Sequence, residues 1–283
     1  QGDDGQVLTS TGSGVAWEAA GGGPTFKTFG TGSIMVGDDA TGTIDAADNN
    51  TGLGVDVFAA LTSGDGNTAV GGIALDAITT SSDNTAVGHQ SLTNATSGVG
   101  NTALGKGTMT GVVTGSNNVA VGRYALSANT SASNNVAVGI NALVANTTGA
   151  GNTAVGAETL AANTEASNNT GVGLQALDAA TTGGANTAVG KDALGDLTTG
   201  SENTAVGWTA AGDLTTARFC TAVGRQALRL NTTTENLTAV GYTAMRSTTG
   251  ASNTAVGNAA LYTNAGGVGN TACGDNALYS NSA

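Results

Sequence analysis

Charge is what this sequence has least of. Only 10% of its 283 residues are charged, against about 25% in an average soluble domain. Aromatic residues make up 4%, and there is one histidine. With His89 alone, in a column of variable residues, no Ser-His-Asp or Cys-His relay can be assembled within one chain. No phosphate-cradling glycine loop with lysine, no zinc spacing and no nucleophile elbow is present, so no cofactor and no enzymatic activity are expected. Paired carboxylates, as in a polysaccharide hydrolase, are the one catalytic route left open. The acidic cluster Asp38, Asp39, Asp45 and Asp48 lacks the calcium-binding nonapeptide pattern and reads as solvated acids at an edge. Eight scattered basic residues against a net charge of −12 exclude a nucleic-acid face. No run approaches the ~18 apolar residues of a membrane-spanning helix. Gln1 to Gly14 lacks the basic start and apolar stretch of a signal peptide, so the chain is expected to begin inside a longer protein or after processing.

What is abundant is repetition. Aligned on Asn-Thr-Ala-Val-Gly, units start at Asn50, Asn67, Asn84, Asn101, Asn118, Asn135, Asn152, Asn169, Asn186, Asn203, Cys220, Leu237, Asn253 and Asn270, after a degenerate unit at Ser33. The spacing is 17 residues, except 16 between Leu237 and Asn253. A period this short, without any helix-length amphipathic segment, predicts one coil of a parallel β-solenoid per unit, each burying its apolar side on the next. The expected architecture is all-β: about 15 coils of 17 residues over 33–283, a small hairpin over 1–20 and a Gly-rich linker over 21–32. At about 4.8 Å per coil the repeats predict a rod of about 70 Å.

Columns of the alignment assign faces. Position four carries Val70, Val87, Leu104, Val121, Val138, Val155, Val172, Val189, Val206, Val223, Val240 and Val256, and position nine carries Leu75, Leu92, Met109, Leu126, Leu143, Leu160, Leu177, Leu194, Leu228, Met245 and Leu261. Both stay apolar in every coil and are expected as the core ladders. Thr at position two, replaced by Val119 and Val136, shares the face of position four at strand period. Position five is glycine throughout, including Gly71, Gly88, Gly122, Gly139, Gly156, Gly190 and Gly207, which predicts a corner of positive φ or close backbone approach. Positions six and seven accept any residue and face solvent, and a second short strand is expected around the Ala-Leu pair. Position twelve alternates Asn129, Asn146, Asn163, Asn231 and Asn264 with Ile78, Val112, Leu197 and Leu214, which predicts an inward column with amides bonding along the stack.

Positions three and eight hold small residues: Ala69, Ala86, Ala103, Ala120, Ala137, Ala154, Gly171 and Ala188 in one, Ala74, Ala125, Ala142, Ala176 and Ala193 in the other. A free surface has no reason to exclude large polar side chains, so these columns predict a subunit interface, most simply that of a homotrimer. Cys220 and Cys273 lie three coils apart, about 14 Å along the axis, too far for an intrachain disulfide. Gln6–Ser10 and Val15–Trp17 flank Thr11-Gly12-Ser13-Gly14 as a hairpin that caps the coils or joins another component. The last unit, begun at Asn270, stops before completing its coil, so the chain is expected to be a portion of a longer assembly. Trp208, Tyr124, Tyr242, Tyr262 and Tyr279 are exposed aromatics of the kind that stack on sugars.

The coil Asn-Thr-Ala-Val-Gly-x-x-Ala-Leu resembles the head repeats of trimeric autotransporter adhesins, and more closely the repeats of bacteriophage tail fibres. Gly2-Asp3-Asp4-Gly5-Gln6-Val7-Leu8-Thr9-Ser10-Thr11-Gly12-Ser13-Gly14-Val15-Ala16-Trp17 resembles a segment common in phage tail-fibre and similar virion proteins. The resemblance implies a left-handed, homotrimeric β-roll in a virion, joined to other tail components through the N-terminal segment, with a host-surface glycan as further partner. Bacteriophage fibres of this type often end in a self-cleaving trimerising chaperone, no residue of which is present. The alternatives are a bacterial cell-surface adhesin and an ice-binding solenoid using rows such as Thr147-Thr148, Thr181-Thr182 and Thr198-Thr199.

Overall fold

The computed structural model describes residues 47–282 and, before them, the strands Leu8–Ser10, Val15–Trp17, Thr25–Lys27 and Ile34–Gly37. It divides into two compact units, Gln1–Ser133 and Asn134–Ala283. Both are all-β parallel solenoids with no helix among the described residues, about 14 turns of ~17 residues in total.

In the first unit Leu8–Ser10 pairs antiparallel with Val15–Trp17, as the hairpin pattern requires. Thr25–Lys27, inside the stretch expected as linker, is instead a strand antiparallel to Ile34–Gly37. From there Thr51–Leu53, Thr68–Val70, Thr85–Val87, Thr102–Leu104 and Val119–Val121 stack in parallel, Ala on Ala and Val on Val. The hairpin's turn and Asp38, Asp39 and Asp45 lie outside the described residues. The second unit repeats the arrangement from Val136–Val138 to Thr271–Cys273, with neighbours such as Ala188↔Ala205 and Val189↔Val206 in register.

The faces of this strand are the reverse of those expected. Ala69, Ala86, Ala120, Ala137, Ala154 and Ala188 are completely buried. Val70, Val87, Val121 and Val138 are only half-buried, and Val155, Val189 and Val206 are 37% exposed. The Ala column is therefore core and the Val column is surface, so the alanines form no subunit interface. Strand periodicity places positions two and four together and position three opposite, but not which side is inward. Width decides it. Ser91 Oγ, at position eight, donates to the Ala103 carbonyl at position three of the next coil at 3.0 Å. A Cβ added at Gly171 would lie 2.6 Å from the Thr159 methyl. Opposite walls are one methyl group apart, which leaves no room for valine.

Position eight, including Ala74, Ala125, Ala142, Ala176 and Ala193, is buried beside the leucines of position nine, so it too is core and not surface. Leu92, Leu126, Leu143, Leu177 and Leu194 are fully buried, as the pattern requires. Among the described residues no second strand carries the Ala-Leu pair. Positions five to eleven are turns in which positions seven and nine adopt left-handed φ, for instance Asp192 (φ 53°) and Leu194 (φ 52°). A left-handed L-residue costs on the order of 1–2 kcal/mol. In return its N–H reaches a neighbouring coil: Asp192 N–H donates to the Leu174 carbonyl (3.1 Å) and Leu194 N–H to that of Ala210 (3.1 Å). Where the unit shortens to 16 residues, Ser247–Thr248 begins a short second sheet with Thr263–Asn264 and Ser280–Asn281.

The corner glycine is required twice over. Gly156 has φ +139°, and a Cβ there would meet the Gly173 carbonyl oxygen at 2.4 Å. Position twelve is inward as expected, with Asn129, Asn146, Asn163, Asn231 and Asn264 buried, Asn163 Nδ2 donating to Asn146 Oδ1 at 2.8 Å, and Ile78, Leu197 and Leu214 in the same column. Val112 is the exception: it is 55% exposed and Val113 takes the core place.

Position one, unassigned by the sequence pattern, is the main polar spine. In the second unit each asparagine Oδ1 accepts the backbone N–H of the next coil's position one, from Asn135 through Asn152, Asn169, Asn186 and Asn203 to Cys220, at 2.8–3.0 Å. Each Nδ2 donates to the carbonyl fourteen residues on, as Asn169 does to Gly183 at 2.9 Å, closing its own coil. One amide thus satisfies both a coil closure and a coil stacking in a dry interior, where an unpaired amide costs on the order of 1–3 kcal/mol. The first unit has the same spine from Asn50 to Asn118.

Candidate functional site

Three surfaces of the coil are candidates for function. The first is the outward side of the Thr-Ala-Val strand. In the second unit it presents Thr153, Thr170, Thr187, Thr204, Thr221 and Thr238 beside Val155, Val172, Val189, Val206, Val223 and Val240. No position on this face is charged, from Val136 to Cys273. The first unit shows the same row from Thr51 and Leu53 to Val119 and Val121. Parallel pairing sets the rows at about 4.8 Å, making a two-column lattice of mainly β-branched side chains. The charged residues Lys191, Asp192, Asp196 and Glu202 stand elsewhere on the coil.

Cys273 occupies the last place in the Val column and is exposed, whereas Cys220 is buried in the asparagine spine. Its Sγ lies 3.4 Å from the Thr234 carbonyl, where an asparagine Nδ2 would donate. Burial pushes its thiol up to about 11, so the reactive thiolate is scarce at neutral pH. Thiol titration of the native protein at pH 8 should therefore modify one cysteine per chain, Cys273, with Cys220 reacting only on unfolding. Rapid modification of both would contradict the buried placement.

The second surface is an acidic hollow of about 220 Å³, lined by Asp178, Asp192, Asp196, Asp213, Thr209 and Arg229. Burial raises the Asp178 carboxyl, and Asp192 and Asp196 push it further in the same direction. Burial likewise raises Asp213, opposed by Arg229, whose guanidinium lies 3.8 Å away. Among the described residues no three His, Cys, Asp or Glu side chains converge as a metal site.

The third is an open groove of about 450 Å³ lined by Gln226, Tyr242, Thr243, Arg246, Asn258, Tyr262, Asn276 and Tyr279. It gathers three of the four tyrosines of the sequence. Tyr262 and Tyr279 stack with centroids 4.9 Å apart and planes within 1°. Arg246 donates to the Tyr262 hydroxyl at 2.8 Å. Trp208 and Tyr242 flank the Arg225 guanidinium, at 4.4 and 5.7 Å from their ring centroids. The sequence marks these rings one by one. Their convergence follows from Arg246, Tyr262 and Tyr279 all standing at position ten of successive units, a column that the repeat spacing contains but that the sequence reading left unassigned.

The fold and these faces define a parallel β-solenoid repeat protein. Compared with known proteins, the chain matches no protein-family model and no curated sequence.

Proposed function

We propose that this chain is a structural fibre segment, of the kind found in bacteriophage tail fibres, that assembles as a homotrimer with its Thr-x-Val faces turned towards the other copies. The observation that carries the reading is that uncharged face. In a chain of net charge −12, like copies repel unless they meet where no charge stands. The face offers two aliphatic or hydroxyl-bearing side chains per coil and nothing that must be desolvated as an ion. The resemblance of the repeat and of the N-terminal segment to tail-fibre sequences supports the virion setting, with the Leu8–Trp17 hairpin as the junction to other tail components and a host surface as the target. No catalytic step is assigned to it.

Light scattering on the purified chain tests the assembly. The expected mass is three times 27.0 kDa, falling to one chain in the double variant Val189→Glu, Val206→Glu. A stable wild-type monomer would sink the trimer. The same lattice of threonine and valine rows also suits an ice surface, and a monomer that shows thermal hysteresis would assign the face to ice.

A further inference from the structure

The groove between positions six, seven and ten of the last coils has a different chemistry from the Thr-x-Val face. Its charged lining residue is Arg246. Among the described residues that guanidinium makes no ion pair within 4 Å; its Nε is buried out of a ligand's reach, one terminal nitrogen is held by the Tyr262 hydroxyl, and the other has no partner there. A cation fixed in place with an unused donor is half of a charge-assisted contact. The amide nitrogens of Asn258 and Asn276 both donate to Asp275, at 2.6 and 2.9 Å, which fixes these two side chains and leaves their carbonyl oxygens as acceptors. Gln226 has no side-chain hydrogen bond among the described residues and supplies both a donor and an acceptor. Tyr242 is 50% exposed on the rim, steadied by Arg225 and Trp208 behind it. The Tyr262–Tyr279 stack adds a rigid apolar edge.

We infer that this groove binds a carboxylate-bearing saccharide. Arg246 takes the carboxylate, the Tyr242 ring takes the apolar side of the sugar, and Gln226, Asn258 and Asn276 take its hydroxyls. An apolar platform ringed by fixed amides matches a pyranose, which has C–H faces and an equator of hydroxyl groups. The unpaired guanidinium selects an acidic sugar over a neutral one. The groove lies within one chain; the inference rests on the reading above only for the source of the saccharide, a host surface.

Calorimetric titration of the whole chain with oligogalacturonate and with oligosialic acid tests it, each run beside its methyl ester, in which the carboxylates are neutral. At least one acid form should bind at least tenfold more tightly than its ester. Arg246→Gln should remove that difference, and Tyr242→Ala should weaken acid and ester forms alike by about fivefold, with circular dichroism unchanged in both variants. Failure of both acids to bind, equal binding of acid and ester, or acid binding that survives Arg246→Gln each overturns the proposal. Light scattering on the same samples reports the assembly separately, so a monomer that binds the acid sugar would sink the trimer and keep the groove.

Discussion

Replacing Ala188 by leucine should destabilise the second unit by about 3 kcal/mol or more, while Val189→Thr next to it should cost less than about 1 kcal/mol. Ala188 is fully buried, and at the same position one coil earlier a Cβ added to Gly171 would already lie 2.6 Å from the opposite wall. Three added carbons have no space there, and overpacking a filled core forces off-rotamer side chains and backbone shifts that cost on the order of 1–3 kcal/mol, sometimes more. In this fold a displaced strand also loses register with the strands on both sides, Gly171–Val172 and Ala205–Val206, so relaxation is hindered. Val189 points outward and is 37% exposed, and threonine has its shape and already fills the neighbouring column. Urea unfolding followed by circular dichroism gives both numbers. If Val189→Thr proved the more damaging, the assignment of faces would be inverted.

Asn169→Ala should cost about 2–4 kcal/mol. The substitution deletes three hydrogen bonds: Asn169 Oδ1 accepts from the Asn186 N–H (2.9 Å) and from Asn186 Nδ2 (3.1 Å), and Asn169 Nδ2 donates to the Gly183 carbonyl (2.9 Å). Alanine leaves at least one buried donor and one buried acceptor without partners, each worth about 1–3 kcal/mol. The damage should be local, since solenoid coils contact only their neighbours. Hydrogen exchange should therefore quicken at Asn186 and Thr187 before it does at Asn253. Uniform quickening along the unit would mean that it unfolds as one body.

The period, the glycine corner, the leucine ladder and the inward asparagines of position twelve were all legible in the sequence, because each reflects a constraint repeated in every coil. The side of the strand was not. Constancy of valine and constancy of alanine are equally strong signals, and the deciding quantity, the distance between opposite walls, belongs to the closed coil. The same holds for Val112 and Val113, where either could serve and the coil chose the second. Position one was visible as asparagine in most units, yet its role needs the carbonyl fourteen residues on, which only folding brings near. The groove was legible only in part: the repeat spacing stacks Arg246, Tyr262 and Tyr279 in one column, but that Tyr242 and Gln226, at positions six and seven, line the same hollow depends on how the coil turns between them.

The left-handed residues at positions seven and nine have a consequence for how the molecule forms. Each is unfavourable alone and is offset by bonds to the adjoining coil, so an isolated coil has no stable state and an existing coil acts as a template for the next. Folding should then show a threshold in chain length followed by roughly equal increments per added repeat. Sequence drift should be tolerated at positions six and ten, and at position seven among residues that keep the N–H its left-handed turn uses. Gene duplication in steps of one repeat can lengthen such a protein without redesigning anything already folded, and new surface chemistry can arise in one coil while its neighbours hold the shape.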